Sequence, residues 1–373
     1  MTDRHPNFSR FLLPASVLAL LSLSAQPGLA RSGSGDVYVL SNQPSGNSVM
    51  VYHRDADGML TFAGNFASGG NGAGSGGDPL ASQNPVVLTG NGRQLLAVNA
   101  GSNSITAFQV SGDTLASVNT VSSGGTMPVS LTIQHKLVYV LNAGGTPNIS
   151  GFTIDRKTGE LAALKNSTQP VPGGSSSGPA EVAFGPGVLM VTETATNNID
   201  TFVLNGNGTA RTGVSFASNE PTPFGFAFGH GSRIAVVSDA EGGNAGASAL
   251  SSYHVKQNGN LDGIGVGVDD TQTGACWVAV TKDNRFAYTS NTGSGTISSY
   301  GISAKGKLAL LDVTAGSGNV PIDMGLSHNS RYLYVRNAGD GSISGFRVRS
   351  DGSLKAVGSV SGLPDGAAGL AAH

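Results

Sequence analysis

The sequence predicts an all-β protein, a seven-bladed β-propeller built from four-stranded antiparallel blades. One phrase recurs along the chain: "YVLNAGGTPNISGF" begins at Tyr139, and "YVRNAGDGSISGF" begins at Tyr334. Seven copies follow one another at intervals of about 43 to 57 residues, which is close to the length of a four-stranded propeller blade. Glycine, at 56 of 373 residues, supplies the many tight turns that such a chain requires.

The seven copies are recognised by the residue that ends their "YVxN" strand. Five copies carry asparagine there, and two weaker copies carry a carboxylate. In chain order these residues are Asn42, Asn99, Asn142, Glu193, Asp239, Asn291 and Asn337. A side-chain amide that caps backbone groups at the end of a strand is a device for building repeats. We therefore interpret the five asparagines as structural.

Each repeat divides into four short strands. The first is an apolar run that often begins at proline, as in "PVSLTI", "PAEVAF", "PFGFAF" and "PIDMGL". A tight turn leads to the "YVxN" strand. The third strand, such as "NISGFTI", alternates apolar and polar residues, which is typical of a β-strand. An "xxGxL" turn then leads to a fourth strand that ends in a loop rich in glycine and serine.

The two ends of the chain predict that the ring is closed. The N-terminal repeat begins at its "YVLSN" strand and lacks a first strand. The C-terminal stretch "LPDGAAGLAAH", from Leu363 to His373, is a first strand without a repeat after it. We therefore expect the last residues to complete the first blade, so that no sheet edge stays open.

The N-terminus is typical of an export signal. A basic start with Arg4 and Arg10 precedes the apolar run Phe11–Ala25, and "GLA" places small residues before a cleavage point at Ala30. We predict a signal peptide over residues 1–30 and a propeller over residues 31–373, located in the periplasm or secreted. An uncleaved anchor is the alternative.

Composition excludes several classes of partner. Charged residues make up 12% of the chain and the net charge is −2, so the clustered Lys and Arg that bind nucleic acid are missing. We expect no membrane insertion after signal cleavage, and we expect a monomer that binds a small molecule. Cys276 is the single cysteine, so no disulfide forms within the chain.

The repeat phrase "YVxNxGxxxISxF" and its spacing resemble the seven-bladed lactonase family, which includes bacterial 6-phosphogluconolactonases and fungal 3-carboxymuconate lactonising enzymes. The resemblance extends from Asp36 to His373. The segments "VTETATNNIDTF", "PFGFAF", "ACWVAVT" and "GLPDGAAGLAAH" are similar to an exported bacterial branch that is described as 3-carboxymuconate cyclase-like.

This resemblance implies a lactonase or a lactonising enzyme of the cycloisomerase type. Its substrate would be a small carboxylated lactone or a muconate-like molecule, bound at the mouth of the central channel. The alternative is a non-catalytic exported propeller that binds a ligand or a protein partner in the cell envelope. The motifs describe blades rather than chemistry, and one fold hosts many functions, so both remain open at this point.

The repeat register places a group of polar residues at one mouth of the channel. First strands begin there and "YVxN" strands end there, so residues at these positions share one face. The predicted substrate-binding residues at this mouth are Glu181, Trp277, Asp323, Arg336 and Gln83. Arg336 either binds a substrate carboxylate through two hydrogen bonds or forms a salt bridge within the protein.

Glu193 and Asp239 are the predicted catalytic residues. They replace the structural asparagine in adjacent blades, so the two carboxylates are expected to face each other across one groove. Neighbouring carboxylates raise each other's pKa, and such a group can act as a general base. The alternative is that each carboxylate caps a loop. No cofactor is expected, although Glu193, Asp239 and Glu241 together offer oxygen ligands to Ca²⁺.

The histidines argue against the family's hydrolytic site. The resemblance implies a His, Arg and Glu constellation at the channel mouth. His135, His230 and His328 instead follow first strands and are predicted on the opposite face. Their position puts hydrolysis of that type in doubt.

Overall fold

The structure, a computed structural model, describes residues 1–3 and 33–373. Gly33–His373 fold into seven antiparallel sheets, which are the seven predicted blades. The signal-peptide prediction for residues 1–30 falls almost wholly outside the described residues. No helix among the described residues is long and apolar enough to cross a bilayer.

The described residues form thirty strands in the order that the repeats predict. Blades 1 to 3 contain β1 (Gly35–Leu40), β2 (Ser48–Arg54), β3 (Leu60–Ala67), β4 (Val86–Leu88), β5 (Gln94–Asn99), β6 (Ser104–Ser111), β7 (Thr114–Ser122), β8 (Thr126–Gln134), β9 (Leu137–Gly144), β10 (Asn148–Ile154), β11 (Leu161–Ala163) and β12 (Gln169–Pro170). Blades 4 and 5 contain β13 (Pro179–Gly185), β14 (Val188–Glu193), β15 (Asn198–Val203), β16 (Val214–Ala217), β17 (Pro223–Phe228), β18 (Ile234–Asp239), β19 (Ala249–Val255), β20 (Leu261–Gly263) and β21 (Val268–Asp269). Blades 6 and 7 contain β22 (Ala275–Val280), β23 (Phe286–Asn291), β24 (Thr296–Ile302), β25 (Leu308–Ala315), β26 (Pro321–Leu326), β27 (Tyr332–Asn337), β28 (Ser342–Val348) and β29 (Leu354–Ser361), and β30 (Ala368–Ala372) returns to blade 1. Short 3-10 helices span Ala100–Ser102, Gly174–Ser176 and Glu241–Gly243.

The C-terminal strand closes the ring, as the sequence predicts. β30 pairs antiparallel with β1, so that Ala371 lies opposite Tyr38 and Ala368 lies opposite Leu40. The backbone N–H of His373 also donates to the Asp36 carbonyl oxygen at 2.8 Å. The innermost strand of blade 1 therefore comes from the other end of the chain, and the first sheet has no open inner edge.

A tyrosine-to-glycine hydrogen bond repeats between neighbouring blades. It joins the tyrosine of a "YV" strand to a glycine in the turn before the fourth strand of the next blade. The pairs are Tyr139 with Gly208 (2.9 Å), Tyr288 with Gly352 (3.0 Å) and Tyr334 with Gly58 (2.8 Å). These glycines have φ values between +87° and +92°, which only glycine adopts without strain. The "YV" and "xxGxL" motifs are thus the two halves of one contact.

Two asparagines of the repeat, Asn291 and Asn337, bond to the third strand of their own blade, which agrees with their structural interpretation. Asn291 Nδ2 donates to Ser298 Oγ at 2.8 Å, and Asn337 Nδ2 donates to Ser344 Oγ at 3.0 Å. In both blades the partner lies seven residues further along the chain, on the third strand. This bond fastens the second strand to the third at the end where the loops begin.

The innermost strands carry a bulge near their start, and this bulge positions the site. The pairing register with the second strand shifts between Pro179 and Glu181, between Ala275 and Trp277, and between Ile322 and Met324. A bulge interrupts the alternation of side chains and redirects one of them. Polar residues at this point therefore reach inner strands of other blades.

Candidate active site

The side chain of Gln83 closes the end of the channel where the inner strands begin. Its Nε2 donates to the Val278 carbonyl at 2.9 Å and to the Phe226 carbonyl at 3.3 Å, and its Oε1 accepts from the Val278 N–H at 2.8 Å. Gln83 precedes blade 2, while these partners belong to blades 5 and 6. One amide thus spans the axis, and we call this end of the channel the closed end.

Trp277 supports the same closure. Its indole N–H donates to the Ser82 carbonyl at 3.0 Å, and its ring packs edge-on against Phe224 with centroids 5.0 Å apart. The side chain is 1% exposed. The structure therefore places Trp277 at the predicted end of the channel, in contact with the segment before blade 2.

Glu181 lies beside this closure with both carboxyl oxygens bonded. Oε1 accepts from Asn84 Nδ2 at 2.7 Å, and Oε2 accepts from the Phe226 N–H at 2.6 Å. Glu181 is fully buried. Burial raises the pKa of Glu181 well above its usual value, and the two hydrogen bonds oppose this effect only in part. Burial therefore favours the protonated form of this carboxyl group.

Arg336 and Asp323 meet at the closed end, as predicted for residues that share one face. Nε of Arg336 lies 3.8 Å from Asp323 Oδ2, and Nη2 donates to the Gly77 carbonyl at 3.1 Å. Asp323 Oδ2 also accepts from the Gly369 N–H at 2.6 Å. Both side chains are 2% exposed, and Arg336 Nε has no hydrogen-bond partner among the described residues. Of the two interpretations of Arg336, the salt bridge is present.

Asp78 joins this pair and was not predicted. Burial raises the pKa of Asp323 to about 7 and that of Asp78 to about 6, while the charge of Arg336 opposes both shifts. The cluster therefore has one guanidinium and two carboxyl groups that titrate near neutrality. Asp78 lies in the glycine-rich segment before blade 2, which has no counterpart in the other repeats, so periodicity gave no signal for it.

The inner strands enclose a cavity of about 460 Å³ along the axis. Gln83, Asn84 and Glu181 line its closed end, and Leu326 and Ala372 line the other end. Most of the side chains that line it are apolar, although polar atoms form the larger part of its surface, and its volume is that of a small-molecule site. Among the described residues that line this cavity, Glu181 is the one with an ionisable side chain.

Glu193 is fully buried and bonds within blade 4. Its Oε1 accepts from the Gly173 N–H at 2.8 Å, and its Oε2 accepts from the Thr196 hydroxyl. Asp200 lies next to it. Burial, a hydrogen bond to Glu193 and the charge of Glu193 raise the pKa of Asp200 to about 8. Asp200 was missed, although it follows Glu193 by seven residues, just as Ser298 follows Asn291.

Asp239 is equally buried, in blade 5, but has other partners. Its Oδ2 accepts from Ser251 Oγ at 2.6 Å, and burial raises its pKa well above the usual value. The charges of Glu220 and Glu241 raise it further. The structure thus brings Asp239 near Glu241, whereas Glu193 has a separate set of contacts. The contacts described for Glu193 and Asp239 do not join them, and their assignment as a pair stays a prediction.

One group of side chains has the donor spacing of a metal site. Ligand atoms of Asp36, His53 and Asp113 all lie within 4.8 Å of one another. His53 Nδ1 is 3.0 Å from Asp113 and 3.6 Å from Asp36, so the imidazole already lies against both carboxylates. This group lies far along the chain from the predicted Ca²⁺ ligands and outside the channel.

Together these features define a seven-bladed propeller with a ligand-sized axial cavity. The profile of the family described as "Lactonase, 7-bladed beta-propeller" matches residues 80–176 and 225–367. These ranges exceed half of the chain, and the protein therefore belongs to the lactonase family of seven-bladed β-propellers.

Solved structures agree with this fold. A candidate 6-phosphogluconolactonase from Bacteroides uniformis is 16% identical, with a TM-score of 0.72 over 91% of this chain and 99% of the other. The corresponding protein of Bacteroides fragilis is 17% identical, with a TM-score of 0.69 over 92% and 99%. The periplasmic gluconolactonase of Pseudomonas aeruginosa is 16% identical, with a TM-score of 0.69 over 90% and 98%. A search of curated sequences finds no match.

Proposed function

We propose that the protein is a lactonase that hydrolyses a small lactone in the axial cavity, with Glu181 as its acid–base group. One observation carries this proposal: Glu181 is the ionisable side chain that lines the cavity, and it lies at the closed end. Burial raises its pKa well above the usual value, which favours the protonated form of the carboxyl group. A protonated carboxyl in an apolar site is a strong hydrogen-bond donor to a substrate oxygen.

The chemistry follows from that protonation state. In lactone hydrolysis a water oxygen bonds to the carbonyl carbon, and the ring carbon–oxygen bond then breaks. Glu181 would donate a hydrogen bond to the carbonyl oxygen and then give its proton to the ring oxygen as that oxygen leaves. The proton lost by the attacking water restores the carboxyl group. The product carboxylic acid ionises in neutral solution, so each turnover releases one proton.

The neighbours of Glu181 fix its orientation. Asn84 and the Phe226 N–H hold one oxygen each, and Gln83 ties the same inner strands together across the axis. A catalytic group that is held in place loses little entropy when it meets its substrate. We assign Gln83 and Asn84 to positioning, and we retain Trp277, Asp323 and Arg336 as residues that shape the closed end.

For the substrate we propose a small carboxylated lactone. Cycloisomerisation of a muconate-like acid is the related reaction, in which a carboxylate adds to a double bond and the same acid supplies or removes a proton at carbon. The assignment of Glu193 and Asp239 as the acid–base pair stays a prediction. Their contacts within separate blades favour Glu181 over them.

A ligand-binding propeller without catalysis is the second candidate. It is favoured by the hydrogen bonds at the closed end, where Gln83, Trp277 and Glu181 all have protein partners. In that case the cavity would hold a ligand and Glu181 would only stabilise the fold.

Proton release in a pH-stat separates the two candidates. Residues 31–373 would be supplied with sugar lactones, aliphatic lactones and muconates, beside the variants Glu181→Gln and Glu193→Gln. Both variants replace a fully buried glutamate with its amide, so Glu193→Gln is a matched control. We expect turnover of a lactone by the parent, a loss of at least about 100-fold in kcat for Glu181→Gln, and near-parental turnover for Glu193→Gln.

Two other outcomes would contradict the assignment of Glu181. If Glu193→Gln abolishes turnover and Glu181→Gln does not, the acid–base group is the one predicted from the repeat. If no lactone is turned over while thermal unfolding shows a folded parent, the binding propeller is the better description.

Export and a monomeric state also belong to this proposal. They rest on the N-terminal sequence and on the closed ring, in which β30 supplies the missing strand of blade 1. Cell fractionation with mass determination of the mature N-terminus tests the first. Light scattering of the purified chain tests the second.

A further inference from the structure

The channel has a second end, where the inner strands finish. A cavity of about 390 Å³ lies there, and basic side chains from three turns and the last residue line it. They are His230, Lys282, His328 and His373. We call this region the open end. The acid–base group proposed above involves none of these four side chains.

The open end groups one lysine with three histidines, and Arg54 Nη2 donates to the carbonyl oxygen of His373 at 3.0 Å. Lys282 Nζ lies 3.1 Å from His328 Nε2, and the rings of His328 and His373 are 5.4 Å apart. Burial, His328 and Arg54 lower the pKa of His373, which shows that further positive charge is disfavoured there. Among the described residues that line this cavity, none is an aspartate or a glutamate. A cluster of nitrogen-bearing side chains with no lining carboxylate is a local feature of a chain whose net charge is −2.

The turns do not need these basic residues. In blades 6 and 7 the turn is held by a hydroxyl and a polar side chain two residues later. Thr281 Oγ1 bonds Asp283 at 2.7 Å, and Ser327 Oγ bonds Asn329 at 3.0 Å. Lys282 and His328 occupy the position between these partners and are exposed. In blade 2 the same position is Gly90, between Thr89 and Asn91.

The open end leads directly into the axial cavity. Both cavities share five apolar wall residues: Leu88, Phe228, Val280, Leu326 and Ala372. A molecule seated at the basic side chains therefore has its body against apolar walls and its far end directed toward Glu181.

We propose that the open end binds the anionic group, a carboxylate or a phosphate, of the molecule that enters the channel. Lys282 and His328 supply N–H donors to the anion, and the apolar walls receive the rest of the ligand. Hydrogen bonds to a charged group are about twice as strong as neutral ones, so this end selects anionic ligands. The inference deepens the proposed function, because it names the charge of the substrate and the face from which it enters.

Calorimetric titration of residues 31–373 tests this without any turnover. The probes are glutarate, inorganic phosphate and a neutral diol of the same chain length as glutarate. We expect one of the two anions to bind and the diol to bind at least about tenfold more weakly. Added salt should weaken the binding of the anion. Whichever anion binds more tightly identifies the group as carboxylate or phosphate.

Variants locate the anion. Lys282→Gln and His328→Gln should each weaken the binding of the anion by about tenfold or less, and the double variant should weaken it by more. Lys305→Gln, an exposed lysine on the turn before β25, is the matched control and should bind as the parent does. If the four variants unfold at the same temperature as the parent, the fold is kept in all of them.

The proposal is overturned if neither anion binds, or if both open-end variants bind as the parent does. It is also overturned if Arg336→Met abolishes binding while Lys282→Gln does not, because the anion would then lie at the closed end. Since binding is measured directly, a protein that binds the anion at Lys282 but hydrolyses no lactone would refute the proposed function alone.

Discussion

The two ends of the axial channel are built in opposite ways. At the closed end, Gln83, Glu181 and Arg336 are buried and bonded to backbone or side chains of other blades. At the open end, Lys282 and His328 are exposed and contact mainly each other. Both ends derive from the same inner strands, so the difference comes from what the loops add.

The closed end stabilises the fold, whereas the open end is the part that a ligand can contact. Buried polar groups are costly unless they are paired, so the residues of the closed end act as one network that fixes the blades around the axis. The exposed side chains of Lys282 and His328 cost little to leave without further partners, because water solvates them. A ligand can therefore meet the open end without breaking any contact of the protein.

The largest expected effect on stability comes from Arg336→Met. Removing the guanidinium leaves Asp323 and Asp78 without their cation, and breaking a buried pair from one side costs about 3–5 kcal/mol. Urea unfolding of the variant should show this loss. The exposed Arg349→Met should change stability by less than about 0.5 kcal/mol. Equal losses in both variants would mean that the closed end does not depend on this ion pair.

The fold was predictable because each blade is a local unit. The tyrosine, asparagine and turn glycine recur at fixed positions, and the structure shows each of them in the same kind of contact in several blades. Ring closure was predictable for a different reason. The first repeat lacks a strand and the last residues supply one, and antiparallel pairing of β30 with β1 satisfies both.

The site was predictable only in part. The repeat register assigns Gln83, Trp277, Asp323 and Arg336 to one end of the channel, and the structure joins Trp277 to Ser82 and Arg336 to Asp323. This end is closed by residues 68–84. They form an irregular segment, and the repeat pattern does not predict where it runs. The repeat register places His230 and His328 on the opposite face, but it did not predict their grouping with Lys282 and His373, because the four residues come from separate turns and from position 373. Their proximity is a property of the assembled ring.

The next effect in size is a pH dependence at the closed end. The pKa of Asp323 is raised to about 7 in the folded protein and is near 3.9 in an unfolded chain. Between these values the unfolded chain releases the proton while the folded protein keeps it, so rising pH favours unfolding. The parent should therefore lose stability relative to Asp323→Asn as pH rises from 4 to 7, by a total on the order of 2–4 kcal/mol.

Urea unfolding of parent and variant at intervals of pH measures this difference directly. Asp78 and the other carboxyl groups are present in both proteins, so their contributions to the difference in stability largely cancel. Asp269→Asn, at an exposed position, should follow the parent at every pH. A difference between the parent and Asp323→Asn that stays constant from pH 4 to pH 8 would show that Asp323 is ionised in the folded protein.

The smallest of the three effects concerns Gly225, where the inner strand of blade 5 passes Gln83. A Cβ at this position would lie 2.5 Å from the Cys276 carbonyl oxygen and still closer to Gln83 Oε1. Because one of the two atoms is backbone, the strand has to shift, and such overpacking costs about 1–3 kcal/mol. Gly206→Ala is the control, since a Cβ there meets nothing within 4 Å.

Combining Gly225→Ala with Gln83→Ala shows how the amide and the glycine depend on each other. The second change removes one of the two clashing atoms, so the double variant should lose less stability than the sum of the two single variants. Strict additivity would mean that Gln83 does not lie across the axis against blade 5. The closed end would then be open to ligands, and the contrast between the two ends of the channel would disappear.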